Sequence, residues 1–75
     1  AAPILVLIAD DDVPARALRV EALTALGHTI VAEVAGGRDA VAQAEALAPD
    51  AVLLDVHIPD GSGLDAASAL ATRHP

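Results

Sequence analysis

Ile4-Leu5-Val6-Leu7-Ile8-Ala9 runs without a break into Asp10-Asp11-Asp12. A continuous apolar run, as opposed to an alternating one, belongs to a strand covered on both faces, which is how interior strands of parallel sheets read. Ala51-Val52-Leu53-Leu54 repeats the design and closes on Asp55. Two such strands ending in carboxylates predict one acidic pocket at the carboxyl edge of a parallel sheet, the edge at which open α/β sheets bind their ligands.

The residues between the runs supply the crossovers that parallel strands require. Asp12 can cap a helix that starts near Val13, with Pro14 in the first turn where its missing N–H costs nothing. Ala17, Val20, Leu23 and Leu26 follow at helical spacing, and Gly27 suits the residue after the helix end. Ile30 to Ala35 reads as a second strand, with Gly36-Gly37 as a turn. A second helix over Asp39 to Ala48 turns Ala40, Val41, Ala44 and Leu47 inward and stops at Pro49. Ala51 to Asp55 is the third strand, His57 to Gly63 is dense in turn formers, and Leu64 to Arg73 is the third helix. The fold class is α/β, in the order β-α-β-α-β-α with right-handed crossovers.

Composition narrows the function. The chain has 75 residues, a net charge of −7, and four basic residues, all of them Arg. Such an acidic segment has little with which to neutralise a phosphate backbone, so direct nucleic-acid binding is not expected. No apolar stretch approaches the roughly 18 residues that span a membrane, and a cytoplasmic setting is the expectation. Without Cys there is neither a disulfide framework nor a thiolate metal site. The hydrophobic fraction of 55% is high for so small a domain and points to apolar surface that something else covers.

A lone Asp at a strand end is commonly a turn former or a helix cap, and Asp12 reads as a cap. Acids at two strand ends together are different. Asp10, Asp11 and Asp55 would converge if the first and third strands are neighbours, and such a cluster, with no Lys or Arg read beside it, calls for a hard cation. Mg²⁺ takes oxygen ligands and leaves room for water and a phosphate. A carboxylate beside such an ion can attack a phosphoryl group and hold it as an acyl phosphate, and Asp55, followed by a flexible turn, is the natural nucleophile.

The segments LIADDDVPAR and LLDVHIPDGSGLDA resemble the first strand and loop, and the phosphoacceptor segment, of the receiver domains of two-component response regulators. The shared features are the acid pair, Arg16 after it, the single Asp after Leu53-Leu54, and Pro59 with Gly63. The resemblance implies a flavodoxin-like parallel sheet with helices on both faces and strand order 2-1-3. It implies phosphotransfer from a sensor histidine kinase onto Asp55, with slow loss of the phosphate to water. Mg²⁺ would be held by Asp10, Asp11, Asp55 and the backbone carbonyl of His57. An output domain outside this chain, possibly DNA-binding, would carry the response. This is a signalling domain and not a metabolic enzyme.

Receivers of this family have five strand–helix units, so residues 1–75 correspond to the N-terminal part of one. The hydroxyl residue after the fourth strand and the Lys after the fifth have no counterpart here. Thr72 falls in the third helix, and the sequence contains no Lys. The third strand would stand at an apolar edge, a template for pairing. The alternative reading is therefore a non-phosphorylated receiver-like module, completed by a partner chain or a homodimer. A phosphatase of the haloacid-dehalogenase type would need a DxDx[TV] motif, which is absent. His28 reads as a solvated loop residue, and Arg16 as either a screen for the acids or an exposed helix residue. Glu21, Glu45 and Asp65 read as solvated helix faces.

Overall fold

The computed structural model describes residues 3–55 and 62–73. The elements are β1 (Leu5–Ala9), α1 (Val13–Ala25), β2 (Thr29–Val34), α2 (Gly37–Leu47), β3 (Ala51–Leu54) and α3 (Ser62–Arg73). The strands form one parallel sheet in the order β2-β1-β3, as read from the sequence. The first crossover runs from β1 to β2 and the second returns past β1 to β3. Right-handed connections then place α1 on one face and α2 on the other, and α3 packs beside α2.

β1 is the most buried strand. Val6, Leu7, Ile8 and Ala9 are each 3% exposed or less, as the unbroken apolar run requires. Leu7 and Ala9 meet Ala40 of α2, with Ala32, Val34, Val52 and Leu54 packed around them. Val6 and Ile8 therefore point to the α1 side. Small residues bring α2 close: Gly37, Ala40 and Ala44 are its buried positions.

The β1–β2 register slips by one between Val6 and Leu7: Val6 faces Ile30, but Leu7 faces Ala32. Val31 is the extra residue, a β-bulge. It switches the phase of the rest of β2, so that Glu33 lies opposite Ile8 on the α1 side.

Four local expectations need correction. Gly36-Gly37 is a helix start rather than a free turn, with Gly36 extended at the N-cap and Gly37 the first helical residue. Gly37 is buried. α3 likewise begins earlier, at Ser62, which puts Gly63 inside the helix and buried. In α1 the expected stripe is rotated. Ala17 and Leu26 are exposed, whereas Ala15, Arg16, Arg19, Val20 and Leu23 are the partly buried positions. Arginine stems can cover apolar surface while their heads reach polar groups, so they occupy positions that hydropathy assigns to neighbours. His28, finally, is half-buried, and its Nδ1 accepts a hydrogen bond from the Ile4 N–H at 3.3 Å.

The end of α1 explains how His28 gets there. Gly27 takes φ +89°, its N–H donates to the Thr24 carbonyl, and the His28 N–H donates to the Leu23 carbonyl. This paired closure satisfies the last carbonyls of the helix and turns the chain back towards β1. Ala48 ends α2 in the left-handed region at φ 46°, a position that glycine adopts with less strain. Leu53 of β3 is 41% exposed, and no described strand lies on its outer side.

Candidate functional site at the carboxyl edge

The ladders themselves bring the acids together. Ala9 pairs with Leu54, so the next residues along, Asp10 and Asp55, leave neighbouring strands side by side. Both backbones are pinned there: the Asp10 N–H donates to the Val34 carbonyl at 3.0 Å, and the Asp55 N–H donates to the Ala9 carbonyl at 2.9 Å. Asp11 follows at the turn into α1. Asp10, Asp11 and Asp55 each present a carboxylate oxygen, all within 4.8 Å of one another. Asp10 is buried, Asp55 half-buried and Asp11 exposed.

Asp12 sits apart from this trio. It caps α1, accepting from the Ala15 N–H through Oδ1 at 3.4 Å, as expected of it. Its own N–H donates to Asp10 Oδ1 at 2.9 Å, which fixes the rotamer of the buried acid. His57, expected to lend its carbonyl, lies outside the described residues, as does Pro59.

The expectation that no cation neighbours the acids is corrected. Arg19 donates through Nη1 to Asp10 Oδ2, forming an ion pair with a carboxylate whose side chain is 2% exposed. Arg16 donates to the Asp10 backbone carbonyl at 2.8 Å, and its Nε lies 3.6 Å from Glu33 Oε1. A buried carboxylate without a partner is costly, and α1 supplies the partners from one turn further along the chain. Arg16 is thus half-buried and tied to the strand end and to β2, which sets aside the exposed reading; its partners among the described residues are the Asp10 backbone carbonyl and Glu33, outside the three carboxylates. Arg19 was missed because an apolar pattern was sought on α1. The available signal was charge: two of only four basic residues stand three apart on the helix that follows the acids.

The donor set fits a hard divalent cation. It consists of carboxylate oxygens from two strand ends, with an exposed acid on one side where water and a phosphate can approach.

The sequence comparisons agree on one family. The response regulator receiver domain matches residues 6–75. The transcriptional regulatory protein PdtaR of Mycobacterium tuberculosis is 42% identical over 73 residues, which cover 97% of this chain and 36% of PdtaR. The chemotaxis protein CheY of Thermotoga maritima is 36% identical over 61 residues, covering 81% of this chain and 51% of CheY. Among solved structures, the anti-anti-sigma factor PhyR of Bartonella quintana, in complex with the anti-sigma factor NepR, superposes with a TM-score of 0.83 at 27% identity. That match covers 97% of this chain and 31% of the other. The chain spans between a third and a half of the lengths of PdtaR and CheY. With its 2-1-3 parallel sheet and its strand-end acids, this chain belongs to the response regulator receiver family.

Proposed function

We propose that this chain is the N-terminal part of a phosphoacceptor receiver, in which Asp55 takes a phosphoryl group from the phosphohistidine of a sensor kinase. The observation that carries this reading is the meeting of Asp55 with Asp10 and Asp11 at the carboxyl edge. An Asp55 carboxylate oxygen attacks phosphorus; the new P–O bond forms as the P–N bond to imidazole breaks, and the imidazole nitrogen keeps the electron pair. Water later attacks the same phosphorus, regenerates the carboxylate and releases inorganic phosphate. Asp10 and Asp11 would hold Mg²⁺, together with Asp55 and the His57 carbonyl. When bound, the ion offsets charge on the phosphoryl oxygens. Asp10 is oriented through Oδ1 by the Asp12 amide, and its Oδ2 is paired with Arg19.

A transcriptional output is the reading that PdtaR's description supports, in a cytoplasmic two-component pathway; the output domain would lie outside these residues. Among the described residues, no helix is long and apolar enough to cross a membrane.

The test is incubation of the full-length protein with acetyl phosphate and Mg²⁺, followed by intact-mass measurement. A phosphoryl mass gain that disappears in Asp55→Asn, and without divalent cation, is expected. No gain in the wild type would favour the non-phosphorylated interaction module, and an undiminished gain in Asp55→Asn would place the acceptor elsewhere.

A further inference from the structure

We propose that Arg19 is an internal counter-cation of the pocket, which competes with the divalent ion for Asp10 and must release it before the ion is fully bound. The proposal rests on the reading of Asp10, Asp11 and Asp55 as a divalent-cation site.

Its basis is the engagement of both Asp10 oxygens. Oδ1 accepts from the Asp12 N–H at 2.9 Å, and Oδ2 is taken by Arg19 Nη1. Asp10 as a whole is 1% exposed, so water cannot substitute for either donor without opening the site. A metal ion that seeks an Asp10 oxygen therefore meets a guanidinium already in place.

The two arginines of α1 differ in how readily they can leave. Arg16 has a side chain only 19% exposed, and it is held by the Asp10 backbone carbonyl and by Glu33. It serves the strand end, and a metal at the carboxylates does not dislodge it. Arg19 has a side chain 42% exposed and can swing into solvent from its stem. Departure returns rotamer freedom to a long side chain and removes a positive charge from beside an incoming one.

The competition acts as a filter. An ion that engages only Asp10 exchanges one cation for another and gains little. A divalent ion that recruits Asp11 and Asp55 as well gains attractions that Arg19 forfeits. Metal affinity is scaled by the fraction of time during which Asp10 is released, as for any ligand whose competent state is partly populated. By linkage, metal entry exposes the Arg19 head on the surface of α1, and whatever holds that head away from Asp10 tightens metal binding by the same factor.

The experiment is Mg²⁺ titration calorimetry on the full-length protein, with Asp10→Asn defining the background. It is paired with NMR of arginine side-chain N–H groups, in which the Arg19 signal is assigned by its loss in Arg19→Lys. Arg19→Gln is expected to bind Mg²⁺ about fivefold more tightly, the scale of a partly exposed ion pair. Arg19→Lys, which keeps the charge, should stay within about twofold of wild type. Mg²⁺ should shift the Arg19 resonance in wild type and leave it unmoved in Asp10→Asn. Unchanged or weaker binding in Arg19→Gln overturns the proposal, since it would make Arg19 a bystander or a support for Asp10. If Arg19→Gln does not fold, an Arg19 signal indifferent to Mg²⁺ in wild type overturns it equally. Absence of Mg²⁺ binding in wild type and both Arg19 variants, with the Arg19–Asp10 contact still visible by NMR, would mean instead that the cation-site reading itself has failed.

Discussion

At the amino edge of the sheet, Asp50 accepts the Leu5 N–H at 2.8 Å and returns its own N–H to the Leu5 carbonyl at 2.8 Å. His28 does similar work one residue earlier, accepting the Ile4 N–H. The polar side chains at this edge close on the backbone, leaving the start of β1 satisfied. The carboxyl edge is arranged differently. Three carboxylates approach one another within 4.8 Å, and among the described residues Arg19 pairs with the innermost of them. Folding alone does not reward that gathering of like charge. The contrast sets groups that close on the backbone of the sheet against the acids that the proposed function assigns to a cation and a phosphoryl group.

That contrast can be broken by experiment. The largest stability effect should come from Gly27→Ala, which forces a side chain into φ +89° at the turn that delivers His28. A loss of about 1–2 kcal/mol is expected in denaturant unfolding, with phosphorylation of the folded fraction unchanged. Asp50→Ala should cost about 1 kcal/mol by removing a charge-assisted bond to the Leu5 amide, again without touching phosphoryl uptake. Loss of phosphorylation in folded Asp50→Ala would erase the distinction between the edges. The smallest change carries the sharpest sign. Asp11→Asn should stabilise the protein by about 0.5 kcal/mol in EDTA, because one of three crowded charges is gone. In excess Mg²⁺ the ranking should invert, since the wild type gains binding energy that the variant lacks. Thermal melts in both conditions check it; a variant that is less stable in EDTA would mean that Asp11 supports the fold.

Much of this architecture can be read in the chain because several signals coincide. Unbroken apolar runs of four to six residues, Gly and Pro at the junctions, and helical spacing between them leave few alternatives to a doubly covered parallel sheet. The convergence of Asp10, Asp11 and Asp55 followed from strand ends and strand order. What escaped were long-range polar contacts whose partners are backbone atoms or lie on another element. His28 and Asp50 look like loop residues because their role depends on the adjacent edge of β1, which no local pattern encodes. Arg19 escaped because hydropathy gives no weight to a charged residue whose head group pairs with a buried carboxylate. The phase of α1 was consequently read one position off.

The extra residue in β2 has a consequence for anyone who would redesign or transplant this strand. Counted straight through in steps of two, Thr29 to Val34 would set Glu33 opposite Ala9, aimed at Ala40 and the apolar layer beneath α2. With Val31 spliced in, the same six letters are read in two frames, and the carboxylate emerges towards Arg16 instead. The strand thus behaves like a message with a built-in frameshift. A graft that copied its letters but lost its punctuation would bury a charge.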